Sequence, residues 1–297
     1  MSDSLRIGMI GLDTSHVGAF AKLLMDPSSP HYVGGGRVTA AYPGGSSDFD
    51  LSINRVEGFT NTLRDEFDVS IVDSPEAVAE QADLVFILSV DGRVHRSLFD
   101  RVAPYGRPTF IDKPFAVTTE DARAILDTAQ SASIPVMSCS SLRYADPLVE
   151  ALRDDSAGSI VSVDVWGPLN FVDTQPGYFW YGVHGFEMMV AAMGVGCENV
   201  NVSQFDQGEV ASMQWNDGRV ATYRGLKQGA GTFGAVIHRE KGAQYVDIAQ
   251  AKRPYYAGLI EAILRSLPEG RSDIEGGEMF EVVRAIEMAN KARNTSL

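Results

Sequence analysis

Over the first 140 residues, short runs rich in β-branched and other apolar residues alternate with stretches whose apolar positions recur at helical spacing. Strands are expected at 5–10, 37–41, 70–72, 84–88, 109–111 and 136–138, and a helix follows the first of them from about Val17 to Met25. Between strands the punctuation is that of helices. Thr119 precedes Glu120, Asp121 and the apolar series Ala122, Ile125, Leu126 and Ala129, while Ser74, Pro75 and Glu76 open a shorter helix ending near Gln81. Strand and helix in strict alternation predict a doubly wound parallel sheet.

After Ser140 the texture changes. A helix over 147–153 is followed by strand-like runs at 160–166, 200–205, 210–215, 219–224, 233–238 and 244–248. Asn216, Asp217 and Gly218 mark one tight hairpin, and Lys241 with Gly242 another. These runs predict an open, mainly antiparallel sheet. Met279, Phe280, Val283, Ile286 and Ala289 then recur at helical spacing, so a terminal helix is expected to pack on a core. The change of pattern divides the chain into domains at 1–140 and 141–297.

A chain of 297 residues with 44% hydrophobic content can build two cores of ordinary size. Its 25 basic and 39 acidic residues leave 25 − 39 = −14, which repels nucleic acid and anionic membrane surfaces over most of the exterior. No apolar run approaches the roughly 20 residues that span a bilayer. The first strand begins too near the N-terminus to leave room for a signal peptide. Cys139 and Cys197 lie far apart with no metal-type spacing and read as buried, reduced thiols. A cytoplasmic protein is the expectation.

Candidate chemistry begins at the first strand–helix junction, Gly8-Met9-Ile10-Gly11-Leu12-Asp13-Thr14-Ser15-His16. A nucleotide-binding fold places its phosphate turn here, with a glycine for the bend, a second for close approach of the pyrophosphate and a third for helix–strand packing. Gly11 serves the first role, whereas the other two places hold Asp13 and His16. A carboxylate about 4 Å from a phosphate charge would cost on the order of 4 kcal/mol at an effective dielectric of ~20. Two readings of Asp13 stand. Its carboxylate turns back to cap the following helix at Ser15 or His16, with His16 offsetting its charge, or it contacts ligand directly. The second strand runs into Ala41-Tyr42-Pro43-Gly44-Gly45-Ser46-Ser47-Asp48, where Asp48 is the candidate for the ribose hydroxyls and no arginine follows to read a 2′-phosphate. NAD and NADP both remain open, as does the absence of either.

Four further stretches carry a family resemblance. Ile111-Asp112-Lys113-Pro114-Phe115 follows the fifth strand and looks like the Glu-Lys-Pro signature of the Gfo/Idh/MocA oxidoreductases, with Asp112 in place of Glu. Ser89-Val90-Asp91-Gly92-Arg93-Val94-His95 is similar to that family's Thr-Pro-Asn-x-x-His turn. Arg143-Tyr144-Ala145-Asp146-Pro147 resembles its Arg-Phe/Tyr-x-x-Pro entry to the second domain, and Gly182-Val183-His184-Gly185-Phe186-Glu187 its Gly-x-His-x-x-Asp segment. The four occur in the family's order. The resemblance implies a Rossmann-like domain followed by an α/β domain with an open sheet, assembled as a homodimer or homotetramer.

It implies hydride transfer between NAD or NADP and a hydroxyl of a small carbohydrate or polyol. Carried over residue by residue, Lys113 would hold the reacting oxygen and His184 would be the acid/base, a division suited to an ammonium and an imidazole with ordinary pKa near 6.5. Gly11, Asp13, Thr14, Ser15, His16, Asp48, Ser89, His95, Asp112 and Lys113 form the candidate cofactor wall, His95 serving there or as a purely structural histidine. Arg143, Trp180, Tyr181 and Glu187 are the substrate-side candidates. The family commonly has Asp four residues before the histidine, where this chain has Trp180, so Tyr181, Glu187 or Asp13 is expected to supply the missing polar group. The aromatic run Tyr178, Phe179, Trp180 and Tyr181 would stack on a sugar ring or close a domain interface. No ligand spacing demands a metal. Two other functions stay in play: Tyr181-Gly182-Val183-His184-Gly185 is similar to a stretch of the NAD-dependent, redox-neutral glycosidases, and Asp13 would suit a cofactor-free carbohydrate-binding protein.

Overall fold

A computed structural model of the chain describes residues 4–295. They form two compact units, the first comprising residues up to Ala116, Glu120–Cys139 and Tyr256–Gly276, the second Val117–Thr119, Ser140–Tyr255 and the residues from Gly277 onward. One passage between the units falls between Cys139 and Ser140, where the sequence reading divides the chain after residue 140. Residues 256–276, which that reading placed with the second domain, group with the first.

The first unit alternates β1 (Leu5–Ile10), α1 (His16–Met25), β2 (Gly36–Tyr42), α2 (Asp50–Phe67), β3 (Ser70–Ile71), α3 (Pro75–Gln81), β4 (Leu84–Ile87), α4 (His95–Val102), β5 (Thr109–Ile111), α5 (Thr119–Ser131) and β6 (Val136–Met137). The strands lie in the order β3-β2-β1-β4-β5-β6, every pair parallel, so the order reverses beside β1. Ile7, Met9, Ile10 and all of β4 are buried, as expected of strands covered on both faces. Phe20, Phe86 and Phe110 join α1 to the sheet, ring centroids 5.6 to 6.5 Å apart. At α3 the expected cap is present: Ser74 Oγ accepts the Ala77 N–H at 3.1 Å and Pro75 opens the helix.

The second unit holds α6 (Asp146–Arg153), β7 (Ile160–Pro168), α7 (Val183–Met193), β8 (Cys197–Phe205), β9 (Gly208–Trp215), β10 (Val220–Leu226), β11 (Gly234–Arg239) and β12 (Gly242–Asp247). The sheet runs β12-β11-β7-β10-β9-β8; β7 and β10 pair in parallel and the other neighbours antiparallel. α7 packs on β7 and β10. At the crossing a Cβ on Gly185 would come within 2.3 Å of the Tyr223 ring, so glycine lets the helix lie against the strand. α8 (Tyr255–Ser266) and α9 (Gly276–Thr295) complete the chain. No described helix is long and apolar enough to cross a membrane.

Candidate active site

In the first unit the candidates gather at the carboxyl ends of β1, β4 and β5, where open parallel sheets bind ligands. Gly11 has φ +86°, and a Cβ there would stand 2.6 Å from the Ser89 backbone nitrogen. The bend that starts the turn therefore needs glycine. The next residues stay tied to the second strand, with Gly11 N–H donating to Tyr42 O at 3.0 Å and Leu12 N–H to Pro43 O at 2.7 Å.

Asp13 is fully buried and caps nothing. Its Oδ1 accepts the Val90 N–H at 2.8 Å and its Oδ2 the Ser52 hydroxyl at 2.5 Å, so the carboxyl ties the turn to the end of β4 and to α2. This corrects the expected bonds to Ser15 or His16. Ser15, exposed at the N-cap of α1, makes no side-chain cap, and Thr14 Oγ1 accepts the His16 N–H at 3.5 Å. Burial pushes the Asp13 carboxyl upward, and the Ser52 and Val90 bonds and the nearby His95 oppose that shift.

His16 also has a different partner from the one expected. Its Nδ1 bonds Asp112 Oδ2, while its ring stacks on Phe20 at 5.3 Å and meets Tyr256 edge-on at 4.9 Å. Asp112 Oδ1 accepts the Lys113 backbone N–H at 2.8 Å. Lys113 itself is half-buried. Burial lowers its pKa, Asp112 raises it, and Arg55 lowers it further. His95 is fully buried, its Nδ1 2.8 Å from Pro114 O and its Nε2 2.8 Å from Ser89 O, so it ties the β4 turn to the segment after Lys113. Asp48 closes on the Arg93 guanidinium through two bonds of 2.9 and 2.8 Å, and Arg93 also grips the buried Asp91. Arg93 is the largest influence holding Asp48 below its ordinary range. Sequence reasoning had assigned Arg93 no role.

These residues fit a dinucleotide in one specific sense. Gly11 keeps the tight bend before a ten-residue helix whose N-terminal N–H groups suit an anion. The carboxylate that would repel phosphate points into the protein and is satisfied there.

The second unit centres on His184 in the first turn of α7. Its Nδ1 lies 2.7 Å from Ser140 Oγ, which also accepts the Leu142 N–H at 3.2 Å. With one lone pair taken by that N–H, the serine oxygen keeps a second that can accept the Nδ1–H, the tautomer in which Nε2 is unprotonated and able to take up a proton. Tyr181 and Phe233 flank the ring at 6.0 and 5.3 Å. Ser140, buried and adjacent to the unit boundary, was missed in the sequence, and the polar run Ser138, Ser140 and Ser141 after β6 was its only signal.

Glu187, one turn further along α7, accepts the Ser140 backbone N–H and lies 3.4 Å from Arg143 Nε. Burial pushes its carboxyl up to about 7, with Arg143 opposing. Arg143 also pairs with Glu278, so both candidates are spent on each other and on a third residue. The aromatic run divides: Tyr178 and Phe179 are core, Tyr178 donating to the buried Glu209 at 2.5 Å, while Trp180 is half-buried and Tyr181 is exposed. Among the described residues no group of three His, Cys, Asp or Glu is placed to hold a metal ion.

Residues 49–139 match the GFO_IDH_MocA model, described as the oxidoreductase family with an NAD-binding Rossmann fold. D-apiose dehydrogenase of Rhizobium rhizogenes is 26% identical over 132 residues, 42% of this chain and 36% of that protein. D-apiose dehydrogenase of Paraburkholderia graminis is 32% identical over 93 residues, 31% of this chain and 24% of that one. The chain thus spans little more than a third of the length of one of these relatives and about a quarter of the other. Among solved structures, myo-inositol dehydrogenase from Lactobacillus casei in complex with NAD(H) and myo-inositol superposes with a TM-score of 0.76 at 13% identity, over 98% of this chain and 94% of that one. UDP-N-acetylglucosamine 3-dehydrogenase from Acidithiobacillus ferrooxidans gives 0.75 at 18% identity, covering 97% of each chain. At these identities the likeness is one of fold.

Proposed function

We propose that the chain is a member of the Gfo/Idh/MocA oxidoreductases, an NAD(P)-dependent enzyme oxidising or reducing a hydroxyl of a small carbohydrate or polyol. The observation that carries this reading is the family match over residues 49–139, which includes Asp112-Lys113-Pro114 at the carboxyl end of β5. The D-apiose dehydrogenases point to the same substrate class.

A nicotinamide, when bound, supplies the hydride acceptor or donor. Gly11, Thr14 and Ser15 would line its phosphates, with Ser89 and Asp112 behind the turn. Lys113 contributes an ammonium that holds the reacting oxygen and favours its alkoxide character. His184 takes or returns the hydroxyl proton, and Ser140 at Nδ1 fixes the ring. Ser140 thus fills the place for which Tyr181, Glu187 and Asp13 had been considered. Asp48 reads the ribose only by sharing its carboxylate with Arg93.

The same reading includes a homodimer or homotetramer formed through the face of the second sheet that carries Trp166, Tyr245 and Phe205. It includes a cytoplasmic location, supported by Cys139 and Cys197, buried thiols that are not joined in a disulfide. The test is a thermal-shift titration with NAD(H) and NADP(H), followed by a sugar and polyol panel read for NADH or NADPH. Saturable stabilisation by a dinucleotide and turnover with a polyol or sugar are expected. No stabilisation at millimolar dinucleotide would remove the oxidoreductase reading.

A further inference from the structure

Two positions depart from the patterns this sequence resembles. His16 stands where the turn's third glycine would be, and Asp112 where the lysine–proline motif carries glutamate. Both departures meet in one buried pair, His16 Nδ1 with Asp112 Oδ2. Aspartate is one methylene shorter than glutamate, and an imidazole at the start of α1 reaches across to it, whereas glycine has nothing to reach with. The ring is itself held, between Phe20 and Tyr256.

We propose that His16 is a positioning residue for Lys113, acting through Asp112: it fixes the carboxylate whose other oxygen holds the Lys113 backbone, so that the ammonium keeps its counter-charge. The proposal rests on the reading of Lys113 as the group that holds the reacting oxygen. Asp112 and, from α2, Arg55 both bear on the charge of the lysine. Burial and Arg55 both work against the ammonium, and Asp112 alone of the three supports it. Asp112 in turn is buried, which disfavours its own charge, and His16 and Lys113 outweigh that cost. A carboxylate released from His16 could rotate about its Cα–Cβ bond and withdraw its charge from the lysine. The third-glycine position, which in the pattern serves packing alone, has here been turned to the electrostatics of the reactive lysine.

Lys113 can be titrated without substrate or cofactor. Trace acetic anhydride is applied to the full-length chain between about pH 7 and 11, and acetylation of Lys113 is counted by mass spectrometry against the exposed Lys22 and Lys241. His16→Ala should lower the midpoint of Lys113 reactivity by about one pH unit, in the same direction as Asp112→Asn, with both reference lysines unmoved. His16→Asn, whose amide N–H takes the place of Nδ1, should keep the midpoint near that of the parent. An unchanged midpoint in His16→Ala overturns the proposal, and so does an equal fall in His16→Asn, the result of a merely steric role. Should His16→Ala fail to fold, His16→Phe takes its place, keeping a ring against Phe20 and Tyr256 without a donor: a midpoint lowered as in Asp112→Asn supports the proposal and an unchanged one overturns it. Dinucleotide titration of the same variants reports separately on the function, since a chain that binds no dinucleotide while its midpoints move as expected loses the oxidoreductase reading and keeps the coupling.

Discussion

At the scale of residues, the candidate chemistry rests on side chains whose partners are explicit. Lys113→Ala and His184→Ala should each lower turnover about a hundredfold or more while leaving dinucleotide-induced stabilisation in place. Full turnover in both variants would remove the assignment. Ser140→Ala should cost about tenfold in kcat, the worth of one hydrogen bond to the imidazole, and should displace the pH profile of kcat/KM as the ring loses its anchor. Glu187 offers a test on stability. Its carboxyl is raised from 4.5 to about 7, so the folded chain binds a proton more tightly there than the unfolded chain does. The resulting stabilisation is fully present below about pH 4.5 and is lost as pH rises through 7. Between about pH 5 and 8 the parent should therefore lose more stability in urea than Glu187→Gln does, and parallel profiles would contradict the buried carboxyl. Lys113 and His184 are candidates because local motifs single them out. The partners of Asp13, His16 and Asp48 were not legible in the sequence, because each is chosen by a contact between residues 39 to 96 positions apart.

At the scale of elements, the six strands of the first sheet stood out because each is a short apolar run between turn signals. α2 did not. Its only buried residues are Ser52 and Leu63 over 18 positions, so it lacks the apolar stripe that marks a helix in sequence, although Ser52 supplies the hydroxyl that satisfies Asp13. α8 escaped for the opposite reason, since Ala257, Gly258, Leu259, Ile260, Ala262 and Ile263 are all buried and leave little polar contrast. The parallel pairing of β7 with β10 was likewise hidden, because strand periodicity carries no sign of direction. The junction between β1 and α1 gives the prediction at this scale. Gly11→Ala combines a positive φ with a Cβ 2.6 Å from the Ser89 backbone, and should destabilise the fold by about 2 kcal/mol or more in chemical denaturation. A loss under half of that would mean that the β4 turn yields easily.

At the scale of the whole molecule, the change of texture near residue 140 revealed two architectures, because alternating βα and hairpin-linked strands follow different periodicities. The net charge of −14 told what the exterior repels and nothing of the pockets. On the second sheet, Trp166 stacks on Tyr245 at 5.5 Å, and Tyr245 is 70% exposed within a single chain. If copies assemble through this face, Trp166→Glu with Tyr245→Glu should shift sedimentation from the oligomer to the monomer without loss of dinucleotide binding. An unchanged oligomer would exclude the face.

The return of residues 256–276 to the first unit has a temporal meaning as well. A ribosome adding about 5–20 residues per second makes all the strands of the second sheet before it makes Tyr256, whose ring lies against His16 and Phe20. The half of the protein synthesised first is therefore among the last to be finished. Until its closing segment emerges, the nascent chain carries a parallel sheet with the aromatic side of α1 uncovered, the interval in which a chaperone would find most to hold.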